Sequence, residues 1–195
     1  DNNHVVGIDF GISTFLTLSD SSLYSTESFS EEVLKIKELS KKFSHKQKGS
    51  NNQKKFLEKL RKAYKKLSDK RTDHLHKLTN LLVKKYDVII LEKLNIKQLM
   101  QKSPHLAEKL QHQCFYQFTS YLKYKLKKEG KQLILVDPKY TSQQCSVCKK
   151  IDRKSRTSQA IFRCTSCGHK ENADLNAAKN ILVKGSNQLV KPKEA

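Results

Sequence analysis

The chain has 195 residues, 36% of them hydrophobic, enough for one domain with a real core plus a small insert. Its 39 Lys and Arg stand against 19 Asp and Glu, a formal net charge of +20 at pH 7, and a field of that size attracts polyanions, nucleic acid first among them. The rival for so basic a chain is a membrane protein, but the sequence has no apolar run of about 18 residues and opens on no secretory signal.

Residues 5–10, Val-Val-Gly-Ile-Asp-Phe, read as a strand, Phe15–Leu18 as a second, Ser19-Asp-Ser-Ser22 as a turn, and the chain from Leu23 as a third, antiparallel strand. Ser28 and Glu31 form a capping-box pair at the start of a helix with Val33, Ile36, Leu39 and Phe43 on one stripe. Gly49-Ser-Asn-Asn52 breaks that helix. A longer one follows, with Phe56, Leu57, Leu60, Tyr64, Leu67, Leu75, Leu78 and Leu82 at three- and four-residue spacing and Arg71 interrupting the stripe. The two helices are expected to form an antiparallel hairpin over residues 31–86. Between Lys35 and Tyr86 eighteen Lys and Arg face four Asp and Glu. A solvated helix face ordinarily mixes both signs, so the excess reads as a nucleic-acid surface, with Lys41, Lys42, Lys46, Lys48, Lys54, Lys55, Arg61 and Lys62 as its contacts.

Val88-Ile-Ile-Leu91 is an unbroken apolar run suited to a strand buried on both faces, and it ends at Glu92. Leu106–Lys128 reads as an amphipathic helix with Leu110, Cys114, Phe118, Tyr121, Leu122 and Leu126 inward, stopped by Gly130; Leu133–Val136 is a further strand. A cysteine-bearing insert over residues 140–171 precedes a last helix from about Asp174 to Val183, and residues 185–195 read as a flexible tail. The chain opens at Asp1, a few residues before its first strand, as a piece of something longer would.

Four of the five cysteines fall as Cys145-x-x-Cys148, fifteen residues, then Cys164-x-x-Cys167. This is the spacing of a four-cysteine zinc site. Two knuckles complete a tetrahedron with no open position, so one Zn²⁺ is expected there as a structural ion, and the neighbouring His169 is surplus to it. The leftover Cys114 reads as a small buried hydrophobe. Cysteines used this way suit a reducing compartment, and a cytoplasmic, nucleoid-associated location is expected. The loop between the pairs is basic, and Arg153 and Arg156 within it are candidate phosphate contacts.

The order of elements is three strands, a helical hairpin, a strand, a helix, a strand, the cysteine insert and a helix. That is the order of a ribonuclease-H-like α/β fold, a mixed sheet flanked by helices, here over residues 1–184 with two insertions. Three acids stand out against it. Asp9 sits in an apolar strand, where a charge is costly unless paired or metal-bound. Glu92 ends the buried strand, and Asp174 opens the last helix, with Ala177 and Ala178 behind it allowing close approach to a sheet. Singly these read equally as a turn residue, a strand end and a helix N-cap. Together, with the first strand beside the one ending at Glu92, they would form a carboxylate cluster. Hard oxygen donors select Mg²⁺ or Mn²⁺, and two such ions about 4 Å apart clamp a phosphodiester for hydrolysis.

The chain resembles the transposon-encoded OrfB/TnpB family, relatives of the compact type V CRISPR effectors. The resemblance is carried by Val6-Gly-Ile-Asp9-Phe-Gly-Ile12, Val88-Ile-Ile-Leu-Glu92-Lys-Leu-Asn95, Tyr140-Thr-Ser-Gln-Gln-Cys145, Cys164-Thr-Ser-Cys-Gly-His169 and Ala173-Asp174-Leu-Asn-Ala-Ala-Lys-Asn-Ile181, in that order over residues 4–182. These match the three RuvC nuclease motifs and the zinc ribbon set before the third. The resemblance implies a RuvC-like, metal-dependent DNA endonuclease directed by a guide RNA. In it Asp9, Glu92 and Asp174 hold two Mg²⁺ (or Mn²⁺) ions, Asp9 bridging them, and Cys145, Cys148, Cys164 and Cys167 hold the zinc. The chain departs from the family in lacking its large N-terminal part, so it is expected to be the nuclease half, with guide RNA a partner of a full-length context. It departs also at Lys93, where a second acid is common, and at Lys149, where a Gly is common. The alternative is a non-catalytic zinc-ribbon protein that binds DNA or RNA as a transposon accessory. These patterns fix no oligomeric state.

Overall fold

The computed structural model describes residues 4–11, 14–25, 29–95 and 114–189. The chain divides into two compact units, Asp1–Thr26 with Thr79–Ala195, and Glu27–Leu78.

The first unit is built on a five-stranded sheet. Strands β1 (Val5–Phe10), β2 (Leu16–Leu18), β3 (Leu23–Tyr24), β4 (Val88–Glu92) and β5 (Gln132–Val136) lie in the order β3-β2-β1-β4-β5. The first three form an antiparallel meander, while β1, β4 and β5 run parallel, so the sheet is mixed as expected. The β2–β3 turn is closed by Leu18 N–H donating to the Ser22 carbonyl at 2.9 Å and by the Asp20 carboxylate accepting from Ser22 N–H at 3.0 Å. Strand β4 is apolar without interruption because both its faces are covered: Val88, Ile89, Ile90 and Leu91 are all buried.

One face of the sheet meets helix α3 (Phe115–Lys128), which buries Phe115, Phe118, Leu122 and Leu126. Phe10 and Phe15 meet Phe115 and Phe118 there, with ring centroids 4.7 to 5.9 Å apart. The described part of this helix begins at Phe115; residues 106–113, placed in it by periodicity, lie outside the described residues. Cys114 stands just ahead of the helix with φ +48 and is half-buried, not packed inside the helix as its neighbours' pattern implied.

The other face carries the last helix, α4 (Ala173–Leu189). Val88, Ile90, Val136 and Ile181 make a buried cluster between them, with Val5, Ile134 and Leu182 at its edge. The helix backbone crosses β1 at Gly7, where an added Cβ would lie 2.4 Å from the Ala178 carbonyl oxygen, so only a residue without one fits. Gly185 likewise presses on Ile90, with an added Cβ 2.4 Å from Cγ2. The helix therefore runs through Gly185 to Leu189, where the sequence had suggested the start of a flexible tail. Glycine there serves close packing rather than termination. Residues 190–195 lie outside the described residues.

Between β5 and α4 the chain forms a small ribbon with a two-stranded sheet, β6 (Ile161–Arg163) against β7 (Lys170–Asn172). Its core is Phe162 with Cys145, Cys164 and Ala173.

The second unit holds helix α1 (Ser30–Ser44) and most of α2 (Asn51–Lys85), whose final turns belong to the first unit. Phe29 precedes α1 and offers no side-chain cap, and Ser28 of the expected capping box lies outside the described residues. At the start of α2 the capping is explicit: Ser50 Oγ accepts from Gln53 N–H at 3.1 Å, and Gln53 Oε1 accepts from Gly49 N–H at 2.8 Å. Within the unit Lys70 pairs with Glu32, and the Arg71 guanidinium, which breaks the apolar stripe, lies 5.9 Å from the Phe29 ring centroid. Among the described residues no helix is long and apolar enough to cross a membrane.

Candidate active site

The site begins with strand register. Strands β1 and β4 are parallel neighbours, with Val5 opposite Val88, Gly7 opposite Ile90 and Ile8 opposite Leu91. Side chains alternate along a strand, so Val5, Gly7 and Asp9 share the α4 face with Val88, Ile90 and Glu92. That face is apolar where α4 covers it and ends in two carboxylates at the C-terminal ends of the strands. The first turn of α4 supplies the third. Asp174 is placed so that its Oδ2 lies 3.5 Å from where a Cβ on Gly11 would be. The helix is capped by Asn172, whose Oδ1 accepts from the N–H of Asp174 at 2.9 Å and of Leu175 at 3.1 Å. Asp174 is thus relieved of the capping role that its position suggests.

Of the three acids, Asp9 feels both others. Burial pushes the Asp9 carboxyl well above the usual range, the charges of Glu92 and Asp174 push it further, and Arg156 partly opposes them. Burial likewise raises Glu92, against a hydrogen bond from Thr141 and the charge of Lys184. Asp174 is raised by burial and held back by Arg156, whose Nη2 stands 3.4 Å from Oδ1. The carboxylates are not drawn into one tight sphere: among the described residues only the four cysteines gather three or more possible ligand atoms within 4.8 Å of one another. Partly buried oxygen donors with raised pKa values, clustered at strand ends, are a donor set that fits Mg²⁺ or Mn²⁺. A cavity of about 170 Å³ opens beside Asp174, with Thr14, Thr17, Asn172 and Leu175 in its wall.

Other residues singled out in the sequence fall in two places. Lys41, Lys42, Lys46, Lys48, Lys54 and Lys55 stand at the end of the helical unit where α1 and α2 are joined, whereas Arg61 and Lys62 stand further along α2, Lys62 lining a cavity with Lys35 and Leu39 of α1. All eight candidates are exposed except Lys46, which is half-buried with its ammonium 5.1 Å from the Phe56 ring centroid. Arg153 is exposed on a short 3-10 turn of the ribbon, whereas Arg156 turns inward to Asp174. Two residues at the site gave no usable signal. Thr141 donates its hydroxyl to Glu92, and Lys184 of α4 donates to the carbonyls of Asp137 at 2.8 Å and Lys139 at 2.7 Å. Thr141 lay inside a recognised motif, but its link to Glu92 spans 49 residues and appears only once β4 and the ribbon are placed.

The cysteine centre is a separate feature. Cys145 Sγ lies 3.7 Å from Cys167 Sγ, and Cys148 Sγ lies 3.5 Å from Cys164 Sγ. Lys149 and Gly168, each just after the second cysteine of a pair, have φ of +63 and +73. The N–H groups of Cys167 and Ser166 point at Cys164 and bring its thiol down to about 6, so one thiolate is available near neutrality. Four convergent sulfurs are a soft tetrahedral set, and they fit zinc. His169 stays outside this set, its Nε2 3.5 Å from Glu171 Oε2.

Comparison with known proteins identifies the family of the chain. Residues 1–103, just over half of the chain, match the family model OrfB_IS605, "Probable transposase", and residues 115–181 match the Cas12f1-like TNB domain. The chain is 32% identical to "Putative RNA-guided DNA endonuclease InsQ" of Escherichia coli (strain K12), over 93% of this chain and 49% of InsQ. It is 42% identical over 81 residues to the "CRISPR-associated endodeoxyribonuclease Cas12f1" of Sulfoacidibacillus thermotolerans, covering 42% of this chain and 19% of that protein. A cryo-EM structure of a CRISPR-Cas12f ternary complex matches 93% of this chain and 40% of its own, with TM-score 0.70 at 22% identity, a likeness of fold. The chain spans about half the length of the curated relatives it matches. With the family model, the ordered motifs and the RuvC-like sheet in agreement, the chain belongs to the OrfB/TnpB family of transposon-encoded proteins.

Proposed function

We propose that this chain is the nuclease body of an RNA-guided DNA endonuclease, in which Asp9, Glu92 and Asp174 hold two Mg²⁺ or Mn²⁺ ions for hydrolysis of DNA phosphodiesters. One observation supports this above the others: β1, β4 and α4 each bring a carboxylate to the same face of the sheet, near enough that the charges of Glu92 and Asp174 both raise Asp9. The ions supply Lewis acidity and in-line orientation of the attacking and leaving oxygens. Asp9, which feels both other acids, would hold the ions together with Glu92 and Asp174. Arg156 stands 3.4 Å from Asp174 with a planar fork suited to phosphate, and it would be a phosphate contact beside the acids. The exposed lysines on α1 and α2, with Arg61 and Arg153, are assigned to nucleic-acid backbone. The cysteine tetrad is assigned one structural Zn²⁺. DNA as substrate and guide RNA as partner are carried over from the names of the relatives.

The test is cleavage of labelled single-stranded DNA, with 3′-hydroxyl and 5′-phosphate ends expected. Asp9→Ala, Glu92→Ala and Asp174→Ala should each abolish cutting in Mg²⁺ or Mn²⁺ while leaving the far-ultraviolet circular dichroism unchanged. Full activity in any one removes that residue from the assignment. A protein that shifts DNA in Mn²⁺ and never cuts it, with or without RNA, is instead the zinc-ribbon binder.

A further inference from the structure

Helix α4 carries a row of polar residues that the assignments above leave unused. Asn176, Asn180 and Lys184 are four residues apart and so lie along one face. Asn176 Nδ2 donates to the Gln144 carbonyl at 2.9 Å, and its Oδ1 accepts from Ser146 N–H at 2.9 Å, inside the first cysteine knuckle. Asn180 Nδ2 donates to the Thr141 carbonyl at 3.0 Å and the Gln144 carbonyl at 2.6 Å. Lys184 holds the carbonyls of Asp137 and Lys139. One helix face thus secures the segment from Asp137 to Ser146.

That segment is held in a shape it would not adopt unaided. Tyr140, a non-glycine residue, has φ +69, and its carbonyl accepts from Gln143 N–H at 3.0 Å and Gln144 N–H at 2.9 Å. Left-handed backbone at such a residue costs on the order of 1 kcal/mol and persists only where the surroundings enforce it. The result is that Thr141 turns inward, 4% exposed, among Asn176 and Asn180 at 0% and 4%. Its hydroxyl reaches Glu92 Oε1 and also lies 2.9 Å from the Pro138 carbonyl oxygen. A hydroxyl has one proton to give, and an ionised carboxylate is the stronger acceptor. The bond takes up Oε1 and leaves Oε2 of Glu92 outside it.

Resting on the carboxylate assignment made above, we infer that Thr141 is a positioning residue for Glu92, supplied by the cysteine ribbon and fixed by Asn176 and Asn180. The ribbon thus contributes one hydrogen bond that orients a cation ligand on the sheet. Partners of this kind, standing behind a ligand, are worth about 10- to 100-fold in metal affinity.

The experiment is Mn²⁺ binding to the full, zinc-loaded chain without nucleic acid, followed by the electron paramagnetic resonance of free Mn²⁺, with zinc content measured in parallel. Thr141→Val is expected to weaken Mn²⁺ binding about tenfold or more, and Thr141→Ser to stay within about twofold of the parent. Should the valine variant fail to fold or lose zinc, Thr141→Ser and Thr141→Ala carry the comparison, since they differ by one hydroxyl. Serine binding at least about fivefold tighter than alanine supports the inference, and equal affinities overturn it. Glu92→Gln separates the two levels. If that variant loses Mn²⁺ affinity while Thr141→Val keeps it, the positioning role alone falls. If Glu92→Gln binds as the parent does, the carboxylate assignment falls first.

Discussion

Asp9 is the residue most at odds with its surroundings, a carboxylate in an apolar strand facing two others. In the folded chain free of divalent cation its pKa is raised, first by burial and then by Glu92 and Asp174. The folded state therefore holds this proton more tightly than the unfolded state. Its contribution to stability is full below the ordinary Asp value of about 4 and is lost as pH rises through the raised value. The magnesium-free, zinc-loaded chain is expected to melt at progressively lower temperature as pH climbs through that window. Asp9→Asn should flatten the dependence and melt above the parent at neutral pH. Mg²⁺ should then raise the parent's melting temperature and leave the variant's unchanged; differential scanning calorimetry reads both. The same conflict made Asp9 visible in the sequence, because a charge in an apolar run has no ordinary explanation. Thr141, Asn176 and Asn180 lay inside motifs read in the sequence, but their roles were invisible for the opposite reason. Each is an unremarkable polar residue until α4 is laid against the ribbon.

At the scale of elements, periodicity was enough to find the five strands of the main sheet and the helices, since burial on one or two faces sets the spacing of apolar residues directly; it did not find the short β6 and β7 of the ribbon. It failed where a residue's local habit and its packing role diverge. Gly185 has the habit of a helix terminator, yet α4 continues through it because Ile90 leaves no room for a side chain. Gly7 meets backbone where Gly185 meets a movable side chain, so Gly7→Ala should be costly. Destabilisation by about 2–3 kcal/mol in urea unfolding is expected, from overpacking that the helix cannot relieve. The first cysteine knuckle offers the reverse. Lys149 holds φ +63, the conformation that Gly168 takes in the second knuckle. Lys149→Gly should remove that strain and, after the entropic cost of glycine, stabilise the zinc-loaded chain by about 0.5–1 kcal/mol. Loss of stability in the same urea titration would show that the lysine side chain outweighs its backbone.

For the whole molecule, charge and metal content set the expected behaviour. With a net charge of +20, binding to single-stranded nucleic acid should weaken steeply with salt. Changing Lys54, Lys55, Arg61 and Lys62 together to Gln should reduce the slope of log affinity against log salt by about 0.7 for each phosphate that is no longer neutralised. An unchanged slope, measured by fluorescence anisotropy, would place the nucleic acid on another surface. Purified chain should contain one zinc, and Cys164→Ser should abolish it. Because Ser146 of the first knuckle is bonded to Asn176, the amide protection of α4 near Asn176 should fall with the metal, which hydrogen exchange would detect.

The order of the polypeptide gives this architecture a timetable. Strands β1 and β4 leave the ribosome well ahead of α4, and the seat at Gly7 stays empty until the helix arrives. A nascent chain is then a strongly cationic polymer that can gather on any nucleic acid nearby, its own message included. At that stage only two of the three proposed metal ligands, Asp9 and Glu92, have been made. The proposed metal-binding set would be complete only once translation has passed Asp174, the last of the three acids along the chain.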